Sequence, residues 1–137
     1  MSLVLDSSVA LAWIYDDEGT GATDRVLDLV VQRGAWVPAI WHLEVGNALQ
    51  QGVRRRRIDG MMRDVALAQL ANLNIQIDSE TSVQAWAATT AVADRFALTL
   101  YDAAYLELAQ RRSLPLASLD RDLRAASDTV GIELLGI

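Results

Sequence analysis

Short apolar runs that stop at a polar residue, each followed by a longer stretch with helical spacing, constrain this chain more than any other feature. Leu3-Val4-Leu5 ends at Asp6 and reads as a buried strand, because a strand covered on both faces is apolar throughout rather than alternating. Ser7-Ser8 then supplies N-cap chemistry for a helix over Val9–Tyr15. Val26, Leu29 and Val30 lie at helical spacing within residues 22–33, and Gly34 ends that run. The same reading predicts strands at Ala35–Val37, Ile75–Ile77, Leu116–Ser118 and Ile132–Leu135. It predicts helices near residues 41–55, 59–73, 79–96, 101–112 and 120–130. Strands separated by one or two helices favour an α/β fold with a central parallel sheet flanked by helices on both faces. No linker, repeat or low-complexity segment divides the 137 residues, so a single domain over 1–137 is expected.

In such sheets ligands gather beyond the carboxyl ends of the strands, near the reversal of strand order. Four acids stand at predicted strand ends or helix starts. Asp6 closes the first strand, and Asp120 follows the strand at residues 116–118. Glu44 lies in the first turn of the helix after Pro38, and Asp102 opens the helix that runs through Leu106. Two like charges about 4 Å apart repel by about 4 kcal/mol at an effective dielectric of about 20. Acids brought together in this way bind cations, take up protons or stay partly solvated. Magnesium or manganese suits an all-oxygen donor set and retains several waters. Such an ion positions a water, lowers its pKa and stabilises charge on a phosphoryl oxygen, so metal-assisted phosphodiester hydrolysis fits the acids. Each acid taken alone also reads as an ordinary helix cap.

Other chemistries are excluded by what the chain lacks. It has no cysteine, which removes disulfides, thiolate zinc sites and cysteine nucleophiles. Its one histidine, His42, leaves Ser7 and Ser8 without a plausible base, and two residues from Glu44 it faces another way on a helix, so a structural or solvent-facing place is expected for it. All 12 basic residues are arginine. Phosphoacceptor receivers and haloacid-dehalogenase-type phosphatases both depend on a lysine, and the latter on Asp-x-Asp where this chain has Asp6-Ser7-Ser8. The net charge of −6 argues against a grip on nucleic acid by bulk positive charge. No apolar run approaches the roughly 20 residues needed to span a bilayer. Met1 to Asp6 lack the basic region and long apolar core of a secretory signal, so a cytoplasmic protein away from membranes is expected.

Four runs carry a family resemblance. Leu5-Asp6-Ser7-Ser8-Val9 resembles the opening motif of PIN-domain nucleases. Pro38, Glu44-Val45 and Asn47-Ala48-Leu49 resemble the second. Leu100-Tyr101-Asp102-Ala103-Ala104-Tyr105-Leu106, the most specific run, resembles the third, and Ala117-Ser118-Leu119-Asp120 the fourth. They occur in family order across essentially the whole chain, and the pattern is most similar to VapC-type toxins of bacterial toxin–antitoxin pairs. The resemblance implies a PIN-like three-layer fold and endonucleolytic cleavage of RNA with magnesium or manganese. Asp6, Glu44, Asp102 and Asp120 would be the metal-binding catalytic acids, with Ser8 and Ser118 as small polar supports. Asp122 is a further ligand candidate that shares or replaces the role of Asp120. The family also implies a homodimer and a cognate antitoxin that covers or enters the acidic pocket.

The remaining features stay open. Asn47 lies three residues after Glu44 and either orients that carboxylate or satisfies a backbone group. Arg54-Arg55-Arg56-Arg57 is a solvated helix terminus, a phosphate contact or a dock for an acidic partner. Trp13, Trp36 and Trp86 are expected in the core or an interface, whereas Trp41 is unassigned. The rival to a nuclease is a non-catalytic PIN-like module that keeps the fold and only docks a protein or RNA partner.

Overall fold

The computed structural model describes all residues, Met1–Ile137. Strands β1 (Val4–Leu5), β2 (Ala35–Val37), β3 (Ile75–Ile77), β4 (Leu116–Ala117) and β5 (Leu134–Leu135) form one sheet in the order β3-β2-β1-β4-β5. Every pairing is parallel. Helices α1 (Ser7–Ile14) and α2 (Gly21–Arg33) connect β1 to β2, and α3 (Trp41–Arg54) and α4 (Gly60–Ala71) connect β2 to β3. Helices α5 (Thr81–Ala85), α6 (Ala88–Phe96) and α7 (Leu100–Arg112) lead to β4, and α8 (Arg121–Thr129) leads to β5. The result is the three-layer α/β arrangement expected from the alternation.

The chain builds the sheet outward from β1 through β2 to β3, then returns to the other side of β1 to lay down β4 and β5. The reversal therefore lies between β1 and β4, where Val4 is level with Leu116 and Leu5 with Ala117. The residues that follow, Asp6 and Ser118, are neighbours by the same register. The Asp6 amide extends this pairing by donating to the Ala117 carbonyl at 2.9 Å.

Leu3, Val4 and Leu5 are at most 2 % exposed, which accounts for their unbroken apolar character. Helix α7 is buried on all sides from Ala103 to Ala109, and its alanines let it lie close to β1 and β4. Each large side chain enclosed there contributes roughly 1.5–3 kcal/mol relative to exposure. Two glycines are dictated by contact. Gly34 turns α2 into β2 at φ +73°, where a Cβ would strike Asn74, and Gly52 of α3 leaves room for the Tyr15 hydroxyl.

The single helix expected over 79–96 is two helices. Helix α5 stops at Trp86, Ala87 leaves helical geometry (φ −122°, ψ −102°), and the Thr90 hydroxyl donates to the Ala85 carbonyl at 2.8 Å. A threonine hydroxyl competes with the backbone ladder in this way, and periodicity does not register it. The break leaves Trp86 92 % exposed, which corrects the core place expected for it and leaves the interface alternative. Trp13 and Trp36 pack against the core, Trp13 donating to the Thr23 carbonyl and Trp36 lying under the Arg112 guanidinium. Trp41 is buried in the core cluster. No helix is long and apolar enough to cross a membrane.

Candidate active site

The site starts where β1 and β4 end together. Asp6 is 4 % exposed and stands at the N-cap of α1 without a side-chain cap bond. Its Oδ2 instead accepts from the Ser8 hydroxyl at 2.6 Å and the Ser118 hydroxyl at 2.8 Å. Both serines are themselves fixed, since Ser8 Oγ accepts from the Leu119 amide and Ser118 Oγ from the Asp120 amide. Two neutral hydroxyls thus orient the carboxylate across the strand pair without cancelling its charge. Asp120 completes this end by capping α8, its Oδ1 accepting from the Leu123 amide at 2.8 Å.

Glu44 reaches the site from the first turn of α3 and Asp102 from the first turn of α7. The Thr99 hydroxyl caps α7 by accepting from the Asp102 amide, which fixes the backbone beneath that acid. Tyr105 is fully buried, and its hydroxyl donates a short hydrogen bond to Glu44 Oε1. Tyr105 had no role in the sequence reading, although it lies three residues after Asp102 and so shares a face of the helix with it. Asn47 is exposed, and Tyr105 rather than Asn47 grips Glu44.

The acids feel one another. Burial raises the pKa of Asp6, and the negative charge of Asp120 raises it further, against the lowering effect of the two serines. Burial also raises Glu44, with Asp6 and Asp102 adding to it and the Tyr105 bond opposing. Asp102 is raised by burial, then by Asp120 and Asp6, with a smaller push from the exposed Asp122. Burial beside Asp6 and Glu44 carries the Tyr105 phenol far above its ordinary range, so it is a neutral donor at any physiological pH. Asp6, Glu44, Asp102 and Asp120 therefore form one electrostatic neighbourhood at the strand reversal.

No three of these acids close into a ready-made metal shell. The donor chemistry, carboxylates and hydroxyls without sulfur or imidazole, fits a hard cation held by one or two carboxylates and its own waters, which is how magnesium is usually held. His42 is exposed and packs edge-on against Trp41, 4.9 Å between ring centres. Arg54, Arg55, Arg56 and Arg57 are exposed at the far end of α3, about 15 Å from Glu44 at 1.5 Å per residue. Arg57 is already engaged there, 2.6 Å from Asp17 and stacked over Tyr15.

A second acidic group lies apart from these. Asp78, directly after β3, is 1 % exposed and meets Arg111 at 2.5 Å and Arg112 at 3.1 Å. Arg111 also binds Glu107 and Glu80. Burial pushes Asp78 upward, but the two guanidinium groups outweigh it and hold the carboxyl below its usual range.

Comparison with curated protein sequences finds no match. Among solved structures the fold is similar to PAE2754 from Pyrobaculum aerophilum, with 22 % identity, TM-score 0.71, and 98 % of this chain and 89 % of that chain covered. It is similar to FitAcB from Neisseria gonorrhoeae at 16 % identity and TM-score 0.65, covering 96 % and 95 % of the two chains. It is also similar to VapC20 from Mycobacterium tuberculosis at 18 % identity and TM-score 0.63, covering 91 % and 95 %. These likenesses concern the fold. The sequence profile described as PIN domain matches residues 3–128, nearly the whole length and all four acids, so the chain belongs to the PIN domain family.

Proposed function

We propose that this chain is a metal-dependent endoribonuclease and the toxin of a toxin–antitoxin pair. The observation that carries the reading is the gathering of Asp6, Glu44, Asp102 and Asp120 at the β1/β4 reversal, oriented by neutral hydroxyls and with no basic partner among them. Structures of similar fold add to it. VapC20 is described as a sarcin-ricin loop cleaving toxin, and a Klebsiella pneumoniae chain of 18 % identity and TM-score 0.59 belongs to a toxin–antitoxin complex.

A bound magnesium or manganese ion would supply the positive charge that draws a phosphate to this acidic pocket and lowers the pKa of a water. Asp6, Glu44, Asp102 and Asp120, with Asp122 as a further candidate at the start of α8, would hold it, one or two directly and the others through its waters. Ser8 and Ser118 fix Asp6, and Tyr105 binds one oxygen of Glu44 and leaves the other without a hydrogen-bond partner. In hydrolysis the water oxygen would bond to phosphorus while its proton passes to a carboxylate, and the P–O ester bond would break with its electron pair leaving on the ribose oxygen, which takes up a proton from solvent. Acids whose pKa values are raised by burial and by one another are suited to accept that proton. Arg54, Arg55 and Arg56 would contact more distant phosphates or an acidic partner.

The antitoxin and a homodimer belong to the same reading. An apolar groove of about 360 Å³ between α1 and α4, lined by Trp13, Ile14, Met61, Met62 and Val65, suits an amphipathic antitoxin helix. The test is cleavage of total RNA by the purified chain with magnesium, beside Asp6→Asn, with mapping of the new ends. Cleavage by the wild type alone is expected. Equal cleavage by both rejects the metal-nuclease reading, and inactivity of both favours the non-catalytic docking module.

A further inference from the structure

Tyr101 immediately precedes Asp102 in the first turn of α7 and is 63 % exposed. It lies one helical turn before Tyr105, so both aromatic side chains share a face of α7. Tyr105 uses that face to reach Glu44. Side chains on a helix lean toward its N-terminus, which places the Tyr101 side chain at the end of α7 from which Asp102 enters the acidic pocket. The aromatic contacts of this chain lie elsewhere: Trp41 with His42, and Arg57, Arg95 and Arg112 over Tyr15, Phe96 and Trp36. No aromatic ring or guanidinium group of this chain stacks on the largely exposed Tyr101 ring, while its backbone is fixed by the Thr99 cap and by the buried run that starts at Ala103.

The electrostatics of the pocket say what kind of ligand group this ring suits. A single-stranded nucleic acid offers phosphates, which the acids repel, and bases, which they do not. The arginine run sits about 15 Å away along α3, so charge does little to hold the nucleotides flanking the reacting phosphate. A neutral π-face stacks on any base without adding to the repulsion. The geometry points to Tyr101 as a positioning residue that stacks a substrate base beside the acidic pocket and so sets which phosphate lies over the acids. This rests on the ribonuclease reading for its substrate class. It assigns no chemistry to the ring.

Stacking is read directly by binding. A short single-stranded RNA with 2-aminopurine substituted at successive positions is titrated, with magnesium, against Asp6→Asn, which keeps the RNA intact. One position is expected to quench strongly. In the Asp6→Asn background, Tyr101→Ala is expected to lose that quench and to weaken binding roughly 5- to 100-fold, the range found when a stacking aromatic is truncated. Tyr101→Phe and Tyr101→Trp should preserve both, because the ring and not the hydroxyl does the work. An abasic nucleotide at the quenched position should weaken binding as much as Tyr101→Ala does, with little further loss when the two are combined.

With Asp6 intact, Tyr101→Ala should shift the mapped cleavage ends and raise KM more than it lowers kcat. Quenching and affinity that survive Tyr101→Ala overturn the proposal, as does an RNA that fails to bind at all. Normal RNA binding by Tyr101→Ala together with a weakened protein partner would assign the ring to that partner and overturn it equally. A wild type that stacks RNA through Tyr101 but does not cleave it would leave this inference standing and remove the nuclease reading.

Discussion

Asp6 and Asp78 each follow a strand of the same parallel sheet, and each is almost wholly buried, at 4 % and 1 % exposure. Their surroundings have opposite character. Asp6 is held by two serine hydroxyls among other acids and has its pKa raised by burial and by Asp120. Asp78 is gripped by Arg111 and Arg112, which hold its pKa down despite burial. Hydroxyl donors fix a carboxylate in place and leave its charge to act on something else. Guanidinium donors fix it and cancel that charge. The first arrangement is unfavourable for the folded chain alone, and it makes sense only where a cation or a proton is to be received.

The largest effect that tests this contrast is on activity. Asp6→Asn keeps the size of the side chain and an oxygen to accept from Ser8 and Ser118, yet removes a charge from the pocket. Cleavage is expected to fall by about a thousandfold or more, since loss of even supporting groups around a metal costs 10- to 100-fold. The melting temperature without metal should stay level or rise, because a strained charge has gone. A variant as active as wild type would place the chemistry elsewhere. Asp78→Ala should do the reverse, leaving two guanidinium groups without their shared carboxylate. A stability loss of about 3 kcal/mol is expected. At this chain length that lowers the melting point by about 10 °C, while cleavage survives well below the transition. Loss of cleavage without loss of stability would make Asp78 part of the site after all.

The sequence exposed one of these regions and concealed the other. Four acids at strand ends or helix starts, in family order, pointed to the pocket. Asp78 also follows a strand, but its meaning depends on Arg111 and Arg112, more than thirty residues away and brought to it by folding. Side-chain hydroxyls were similarly hard to read. Ser8 and Ser118 were found through the motifs, but Tyr105, although part of the third motif, carried no role of its own there, and only the folded structure shows its hydroxyl on Glu44. The break at Trp86–Ala87 escaped for the same reason, since it turns on one threonine hydroxyl rather than on hydrophobic period. Strand and helix patterning is local and was legible. Pairing between polar groups is not local.

Tyr105→Phe sharpens the contrast from the side of the neutral donors. The phenyl ring keeps the packing of α7 but gives Glu44 no partner. Activity should drop roughly 10- to 100-fold, as for other groups that orient a metal-binding carboxylate. The Tyr105 bond lowers the pKa of Glu44 against burial and the charges of Asp6 and Asp102, so removing it raises that pKa again. The acid limb of the pH–activity profile should then move to higher pH. An unchanged limb with reduced activity would mean that Tyr105 acts through packing alone.

The smallest expected effect links pH, metal and stability. Asp6, Glu44 and Asp102 have folded pKa values above their ordinary 3.8 to 4.5, so what they add to stability is present below that range and is lost as pH rises through the raised values. Asp78 behaves oppositely, stabilising above its ordinary 3.8 and failing as pH falls through its lowered value. On the proposed function a divalent ion would compete with protons for the first group and would have no place in the second. Magnesium at about ten times its Kd should therefore stabilise the wild type by about 1.4 kcal/mol, a melting shift of about 5 °C. The shift should grow with pH as the raised carboxyls ionise, shrink in Asp6→Asn, persist in a folded Asp78 variant, and vanish on chelation. Equal shifts in wild type and Asp6→Asn at every pH would show that the ion binds outside the pocket, and the distinction between the two buried aspartates would then have no functional content.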